Sequence, residues 1–465
     1  MSGLYSSLNN TVKALGAQSR AIEIAGKNLA NVNNPSYARQ RVIFGDRGTV
    51  QTPQGAESLG LEAMGIQQLR DKLLDKQVMR ETALKSSFES EQQNLQRAQA
   101  ALSQGVSSTN ASSSGSGVAG ALDDLFNAFQ SLAARPTDAG ERQVLLQKAA
   151  ILTDRLHQAD GSLSQVQSDI DTVITGNVGD ANRLLGSIAA LNRQIGQYES
   201  TNPGAAVDLR DQRQAQLEKL AAILPVDARE DSSGQVQVVV KDATNADIVL
   251  VDKATVNGTV AFTGTGLTAG SPATAVALSS GSIYGGLTAR DGAVQTLRSN
   301  LDLLARQLVT SVNAAYNPTA ATGDFFTAAG TTAATISLQS GLTATNLKAS
   351  DGGAAGDNSI ATAVASLASQ KFSTGSGDAI DGTYSQFFST TVSNLGQALS
   401  SANARVDDQT NIAQLVQQQR DSLSSVSLAE EMSDLMRFQR AFQASSRVFT
   451  VLDDLLDTVV NRLGQ

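Results

Sequence analysis

The chain has no cysteine, no tryptophan, one histidine and seven prolines, and only 4% of its 465 residues are aromatic. Without cysteine there are no disulfides, no thiol catalysis and no thiolate metal site, and the redox compartment stays open. A lone histidine, His157, excludes two-histidine zinc motifs of the H-E-x-x-H type, and neither a phosphate-binding loop nor a G-x-S-x-G nucleophile turn is present. On its helical pattern between Leu156 and Gln158, His157 reads as a packing or surface residue. With so few prolines, long uninterrupted helices are allowed. No apolar run is long enough to span a membrane as a helix. The net charge of −9, with no Lys/Arg run interleaved with aromatics, argues against nucleic acid. The apolar residues of the first segment are spaced and interrupted by Asn, Lys, Arg and Glu, unlike a cleavable signal peptide.

What the chain does have is a seven-residue rhythm at both ends. Leu428, Leu435, Phe442, Phe449, Leu456 and Leu463 recur every seven residues, with Phe438, Leu452 and Val459 three residues after members of that row. Near the start, Leu8, Leu15, Ile22 and Leu29 form a similar row, with Leu4 beside it. Such rows predict helices that pair with each other or with neighbouring copies. The alternative is the core face of an ordinary bundle helix. Length favours pairing, because 428–463 as one helix would run about 54 Å at about 1.5 Å per residue. Asp453, Asp454 and Asp457 superficially suggest a metal cluster, but their spacing puts them on the wet face of that helix. No catalytic, cofactor or metal site is expected.

Between the ends, helical spacing covers residues 3–32, 61–103, 122–129, 145–173, 184–198 and 207–224. The first of these stops at Asn31-Val32-Asn33-Asn34-Pro35, since proline disfavours helix in the residue before it. Residues 41–44 read as a short strand, and the Ser/Gly-rich stretch 103–120 as a loop. After Pro225 the runs Val236–Val240, Ile248–Val251 and Thr259–Phe262 predict a small antiparallel β domain, which Gly285-Gly286 should close. Helix returns over 297–312 and 359–372, and again from about 384 into the C-terminal rows. The expected class is mainly α with a small β insert. Paired terminal coiled-coil helices (1–35 with 415–465) would enclose a helical-bundle body (36–225 with 285–414), and an outer antiparallel β domain (226–284) would sit within that. A 465-residue chain should hold roughly two or three domains.

Asn28-Leu29-Ala30-Asn31-Val32-Asn33-Asn34-Pro35-Ser36-Tyr37-Ala38-Arg39-Gln40 resembles the signature that follows the first helix of the bacterial flagellar axial proteins. Ser36 stands where that family usually has glycine, and Asn34 where it has threonine. Gly60-Leu61-Glu62 with Ile66, Leu69-Arg70-Asp71, Leu74 and Gln77 is similar to a pattern of the hook-associated branch of that family. So are Gly285-Gly286-Leu287-Thr288-Ala289-Arg290-Asp291 before Asp324-Phe325-Phe326, and the tail around Glu430-Glu431, Phe438-Gln439 and Leu452–Leu456. The resemblance implies a non-enzymatic, extracellular structural protein without cofactors, exported through the flagellar type III route. It would form a homo-oligomeric ring between hook protein below and a second junction protein (hook-associated protein 3) above. An export chaperone would bind the C-terminal region, and neither nucleic acid nor membrane is an expected partner. The assembly interface would use Leu4, Leu8, Leu15, Ile22 and Leu29 with Leu428, Leu435, Phe438, Phe442, Phe449, Leu452, Leu456, Val459 and Leu463. Asn31, Asn33, Pro35, Tyr37, Arg39 and Gln40 would form the signature turn. The rival readings are a rod or hook subunit, or a secreted surface protein carrying a hydrolase insert.

Overall fold

A computed structural model describes residues 2–34, 36–46, 48–52, 55–58, 60–104, 117–201, 204–320, 323–354 and 356–458. In chain order the elements are α1 (Ser2–Ala30), β1 (Gln40–Asp46), β2 (Thr49–Thr52), β3 (Gly55–Ser58), β4 (Leu61–Gln68), α2 (Lys72–Gln104), α3 (Val118–Ala134), α4 (Ala139–Glu199) and α5 (Val207–Ile223). Then come β5 (Asp227–Glu230), β6 (Val236–Lys241), β7 (Asp247–Asp252), β8 (Thr255–Val256), β9 (Ala261–Phe262), β10 (Leu267–Ala269) and β11 (Thr274–Ala275). The last helices are α6 (Ser282–Thr288), α7 (Gln295–Tyr316), α8 (Ser359–Ser366), α9 (Tyr384–Ser424) and α10 (Leu428–Asp457). The chain is mainly α with small antiparallel sheets, the class that the patterns predict. It divides into two compact units, residues 1–85, 178–281 and 409–465 in one and residues 86–177 and 282–408 in the other.

In the first unit α1 packs along α10 and against the antiparallel pair β1–β4. The segment 61–68 is strand, where helical spacing was expected from Leu61 onward. Two features decide this. Gly60 turns the chain at φ +86°, a backbone that L side chains rarely adopt. The whole of β4 is then hydrogen-bonded to β1, from Asp46↔Leu61 to Gln40↔Gln68, with a bulge at Ile43/Phe44. Helix α2 begins only at Lys72, where the Asp71 carboxylate accepts from the Leu73 amide at 2.8 Å. The central sheet runs β5-β6-β7-β8. In β6, Val238, Val239 and Val240 are all buried, and a bulge between Val238 and Val239 interrupts the alternation of faces. The expected strand Thr259–Phe262 is reduced to β9.

In the second unit the few aromatic residues are concentrated. Phe129, Phe325, Phe326 and Tyr316 pack with ring centroids 4.9–5.4 Å apart, and Tyr384 stacks on Phe126 at 5.4 Å and meets Phe372 at 4.9 Å. The Asn313 side chain pins this core by accepting from the Phe325 and Phe326 amides and donating to the Phe326 carbonyl. Gly285 and Gly286, expected to close the β insert, lie inside α6. A Cβ at Gly285 would sit 1.9 Å from the Ser87 carbonyl oxygen, so glycine lets α6 lie directly on α2. A π-helical segment, Ala289–Val294, links α6 to α7. Helix α4 is one 61-residue helix, where two stretches were expected. Gly176 and Gly179 cost it about 1 kcal/mol each. The buried line Leu163, Ile170, Ile174, Val178, Ala181 and Leu185 runs through that region and outweighs the cost. Helix α8 ends at Ser366, short of the expected 372. Residues 105–116 of the expected loop lie outside the described residues.

Candidate assembly site at the paired termini

Both terminal helices form, and they run antiparallel. The Asn28 amide near the end of α1 donates to the Glu431 carboxylate in the first turn of α10 at 2.9 Å, and Ala21 and Ile24 share a cavity with Phe438 further along. The fully buried line of α1 is Ala17, Ala21, Ile24, Ala25 and Asn28. Three alanines let the backbones approach closely. The leucine row of α1 lies about a third of a turn from that line, and Leu4, Leu8, Leu15, Ile22 and Leu29 are half-buried. On α10, Leu435, Phe438, Phe449 and Leu452 are half-buried and Leu456 is buried. Leu428 and Phe442 are 57% and 37% exposed. A seven-residue row drifts by about 20° per heptad on a straight helix, so its N-terminal members turn away from α1 while Leu456 faces inward. Val459, Leu463 and Pro35 lie outside the described residues.

Five further apolar residues of α10 are exposed, Met432, Met436, Val448, Val451 and Leu455. At about 100° per residue, Leu428, Met432 and Met436 lie on one flank of the helix, in its first half. Val448, Val451 and Leu455 lie on another flank, in its second half.

The signature turn closes the pair with a buried polar knot. Tyr37, Asn28 and Gln40 are buried. The Tyr37 hydroxyl donates to the Asn28 side-chain oxygen at 2.8 Å, the Gln40 amide donates to the same oxygen at 3.0 Å, and the Asn28 side-chain amide donates back to the Gln40 carbonyl at 2.8 Å. Every polar atom of Asn28 is thereby used. Arg39 donates from Nε to Glu431 and from Nη1 to Glu430, both at 2.6 Å, and lies 3.5 Å from Asp434. Burial works against the Arg39 charge, but the Glu431 and Glu430 carboxylates outweigh it and raise its pKa. The Arg39 backbone amide also bonds the Ser424 carbonyl at 2.8 Å, just before the break between α9 and α10. Ser427 then caps α10, with Glu430 and Glu431 in its favourable first turn. Asn31 is half-buried and bonds the Lys27 carbonyl, and Asn33 is exposed.

Behind the turn lies a layer of carboxylates. Asp208 accepts from Gln40 at 2.8 Å and pairs with Lys27; burial opposes its charge, but these two partners hold its carboxyl below the ordinary value. Asp211 accepts from Arg70 at 3.0 Å and, weakly, from the Ala38 amide. Burial, reinforced by Asp208 and Asp75, nevertheless pushes its carboxyl up to about 7. Burial together with the Asp208, Asp211 and Glu431 charges drives the Tyr37 phenol far above its usual range. Glu431, Asp208 and Asp211 were absent from the expected site. Glu431 carried a readable signal, because it shares the face of Leu435 and Phe438 at i, i+4 and i+7, where a carboxylate requires a buried cation.

His157 hydrogen-bonds the Ile336 carbonyl at 2.8 Å, and Asp453, Asp454 and Asp457 are exposed. Among the described residues no His/Asp/Glu group could hold a metal ion, and no helix is long and apolar enough to cross a membrane.

The family model of the flagellar hook-associated protein FlgK helical domain matches residues 103–324, and that of the flagellar basal body rod FlgEFG protein C-terminal region matches residues 417–463. Over these two regions the chain is similar to the FlgK family of flagellar hook-associated proteins. It is 25% identical over 524 residues to flagellar hook-associated protein 1 of Bacillus subtilis (strain 168), covering 100% of this chain and 99% of that one. Flagellar hook-associated protein 1 of Escherichia coli (strain K12) is 24% identical over 224 residues, 47% of this chain and 39% of its own length. The solved structure of the flagellar hook junction protein FlgK from Burkholderia pseudomallei aligns with a TM-score of 0.44 at 21% identity, covering 52% of this chain and 43% of that one. These matches support a structural role in the bacterial flagellum, in association with the hook and other flagellar parts.

Proposed function

We propose that the chain forms the junction between hook and filament, and that it assembles through its terminal helices. The observation that carries this reading is the α1–α10 pair. It is locked internally by the Asn28–Arg39–Glu431 knot, yet α10 leaves Leu428, Met432, Met436, Val448, Val451 and Leu455 exposed. A helix with apolar flanks left uncovered after pairing needs further neighbours. In the proposed assembly, neighbouring copies cover those flanks and build an inner tube from residues 1–35 and 415–465. The body (36–225 with 285–414) forms its wall, and the β insert (226–284) lies outermost. The ring would be homo-oligomeric, with hook protein below and hook-associated protein 3 above. The chain would be secreted without a cleaved signal peptide, with an export chaperone at its C-terminal region, and would have no catalytic role. The match of residues 417–463 to rod-type C-terminal regions supports a second reading, a rod or hook subunit. The helical-domain match over 103–324 favours the junction.

The test is a strain carrying Leu435→Asp, compared with one carrying a charge substitution in the β insert. The first should build hooks and release flagellin monomers into the medium, while the second should retain filaments. Normal filaments with Leu435→Asp would refute assembly through the terminal helices, and loss of the hook itself would favour the rod or hook reading.

A further inference from the structure

A cavity of about 670 Å³ in the first unit lies beside the β1–β4 pair, lined from the end of β4, the first turns of α2, α5 and β5. Its floor is apolar, with Met79, Val207 and Leu217, and its walls carry six cations, Arg70, Lys72, Lys76, Arg210, Arg213 and Arg229. Five of these are neutralised where they stand. Arg70 pairs with Asp75 and Asp211, Lys72 with Glu230, Lys76 with Asp227, Arg210 with Glu199 and Glu230, and Arg229 with Asp227 and Asp247. The one acid of the wall outside these pairs, Asp231, is turned into its own loop, accepting from the Ser233 and Gln235 amides.

Arg213 is different. It is only 5% exposed, and its Nη1 donates to two neutral acceptors, the Asn192 side-chain oxygen at 2.9 Å and the Gly234 carbonyl at 2.7 Å. Its Nε and Nη2 make no hydrogen bond among the described residues, and no carboxylate pairs with it there, although the side chain lines the cavity. The two acceptors are themselves fixed. Asn192 is fully buried, and its side chain also bonds both backbone groups of Val236 and the Lys253 carbonyl. Gly234 holds φ +76°, and a Cβ there would strike Arg210 and Glu199. The guanidinium is therefore held in place by hydrogen bonds to neutral groups, without an ion pair of its own, where an unpaired charge is costly. Burial, with the neighbouring Arg210 and Arg70 cations and against the pull of the Glu230 and Glu199 carboxylates, pushes it down to about 10, so it stays charged at neutral pH.

We propose that this cavity is a binding site for a small oxyanion, a phosphate or carboxylate group, with Arg213 as its anchoring ligand and Lys72 and Lys76 at its mouth. A guanidinium presenting two free donors matches the paired oxygens of such a group. The apolar floor suits an anion that carries a short carbon skeleton. Because Arg70 reaches from this cavity to Asp211 beneath the signature turn, an occupant would stiffen the base of the α1–α10 pair. The site does not depend on the junction reading above.

The test is titration calorimetry of the full-length chain with inorganic phosphate at constant ionic strength. A saturable isotherm of one phosphate per chain is expected, unlike the non-saturating salting effect of phosphate on any protein. Arg213→Gln keeps a hydrogen-bonding side chain and should weaken binding by at least about tenfold. Lys72→Ala with Lys76→Ala changes only mouth residues and should weaken it by a few fold. That pair also serves as the probe of location if Arg213→Gln does not fold. No saturable heat with the native chain would overturn the proposal, as would an unchanged isotherm in either variant.

Discussion

Glu431→Ala is the most direct probe of what holds the two ends of the chain together. The Glu431 side chain is 3% exposed and receives two bonds, from Arg39 at 2.6 Å and from Asn28 at 2.9 Å. Removing one partner of a fully buried ion pair costs about 3–5 kcal/mol, because the other charge is left uncompensated. Here the loss is smaller. Glu430 and Asp434 remain beside Arg39, and its guanidinium is about one-fifth exposed and can draw in water. The freed Asn28 amide adds about 1 kcal/mol for a lost hydrogen bond. The expected loss is about 2–4 kcal/mol, concentrated in α1 and α10. Hydrogen exchange should therefore show protection falling by about 30-fold to several hundred-fold over residues 2–30 and 428–457. The aromatic core around Phe325 should keep its protection. Glu431→Gln, which can still accept from Arg39, should lose less. Unchanged exchange in the terminal helices, or equal loss throughout the chain, would show that the knot does not hold the ends together.

Three other outcomes are expected. The Asp211 carboxyl sits near pH 7 in the folded chain against 3.8 when unfolded, so the folded state binds the extra proton between those values. Its contribution is then most favourable below about pH 4 and declines as pH rises through 7, by up to about 4 kcal/mol at about 1.4 kcal/mol per pH unit. Urea melts across that range should show this decline, and Asp211→Asn should flatten it; an unchanged slope in the variant would refute the assignment. Gly285→Ala places a methyl 1.9 Å from the Ser87 carbonyl and should destabilise by about 3 kcal/mol or more in denaturant melts, by forcing α6 off α2. Gly176→Ala, in α4 with nothing within 4 Å, should instead stabilise by up to about 1 kcal/mol; equal signs for these two variants would contradict the packing described.

Elements with a long, unbroken period were the most legible. The rows at both termini and the buried face of α4 announce helices because each repeats one spacing over many turns. Leu61–Gln68 was misread because Leu61, Leu69 and Leu73 also fit a helical spacing. Pairing with β1 decided its state, and that pairing is non-local. Gly285-Gly286 looked like a turn because glycine is a poor helix former, and only the approach of α2 shows why it stands inside a helix. The signature turn was visible as a motif, but its chemistry was not, since Asn28 meets Glu431 across 403 residues of chain. Arg213 gave no signal at all. Nothing in its neighbours along the sequence distinguishes it from the well-paired Arg210 three positions earlier.

The two uncovered flanks of α10 have a consequence for symmetry. They differ in composition, with leucine and methionine on one and valine and leucine on the other, and they are offset along the helix and roughly 130° apart around it at about 100° per residue. Contacts across a two-fold axis present the same patch from both partners, whereas surfaces of this unlike, staggered kind fit head to tail. Repeating such a fit turns each added copy by a constant angle and rise. In the assembly proposed above, that would give a closed circle or a helical wall in preference to a discrete dimer.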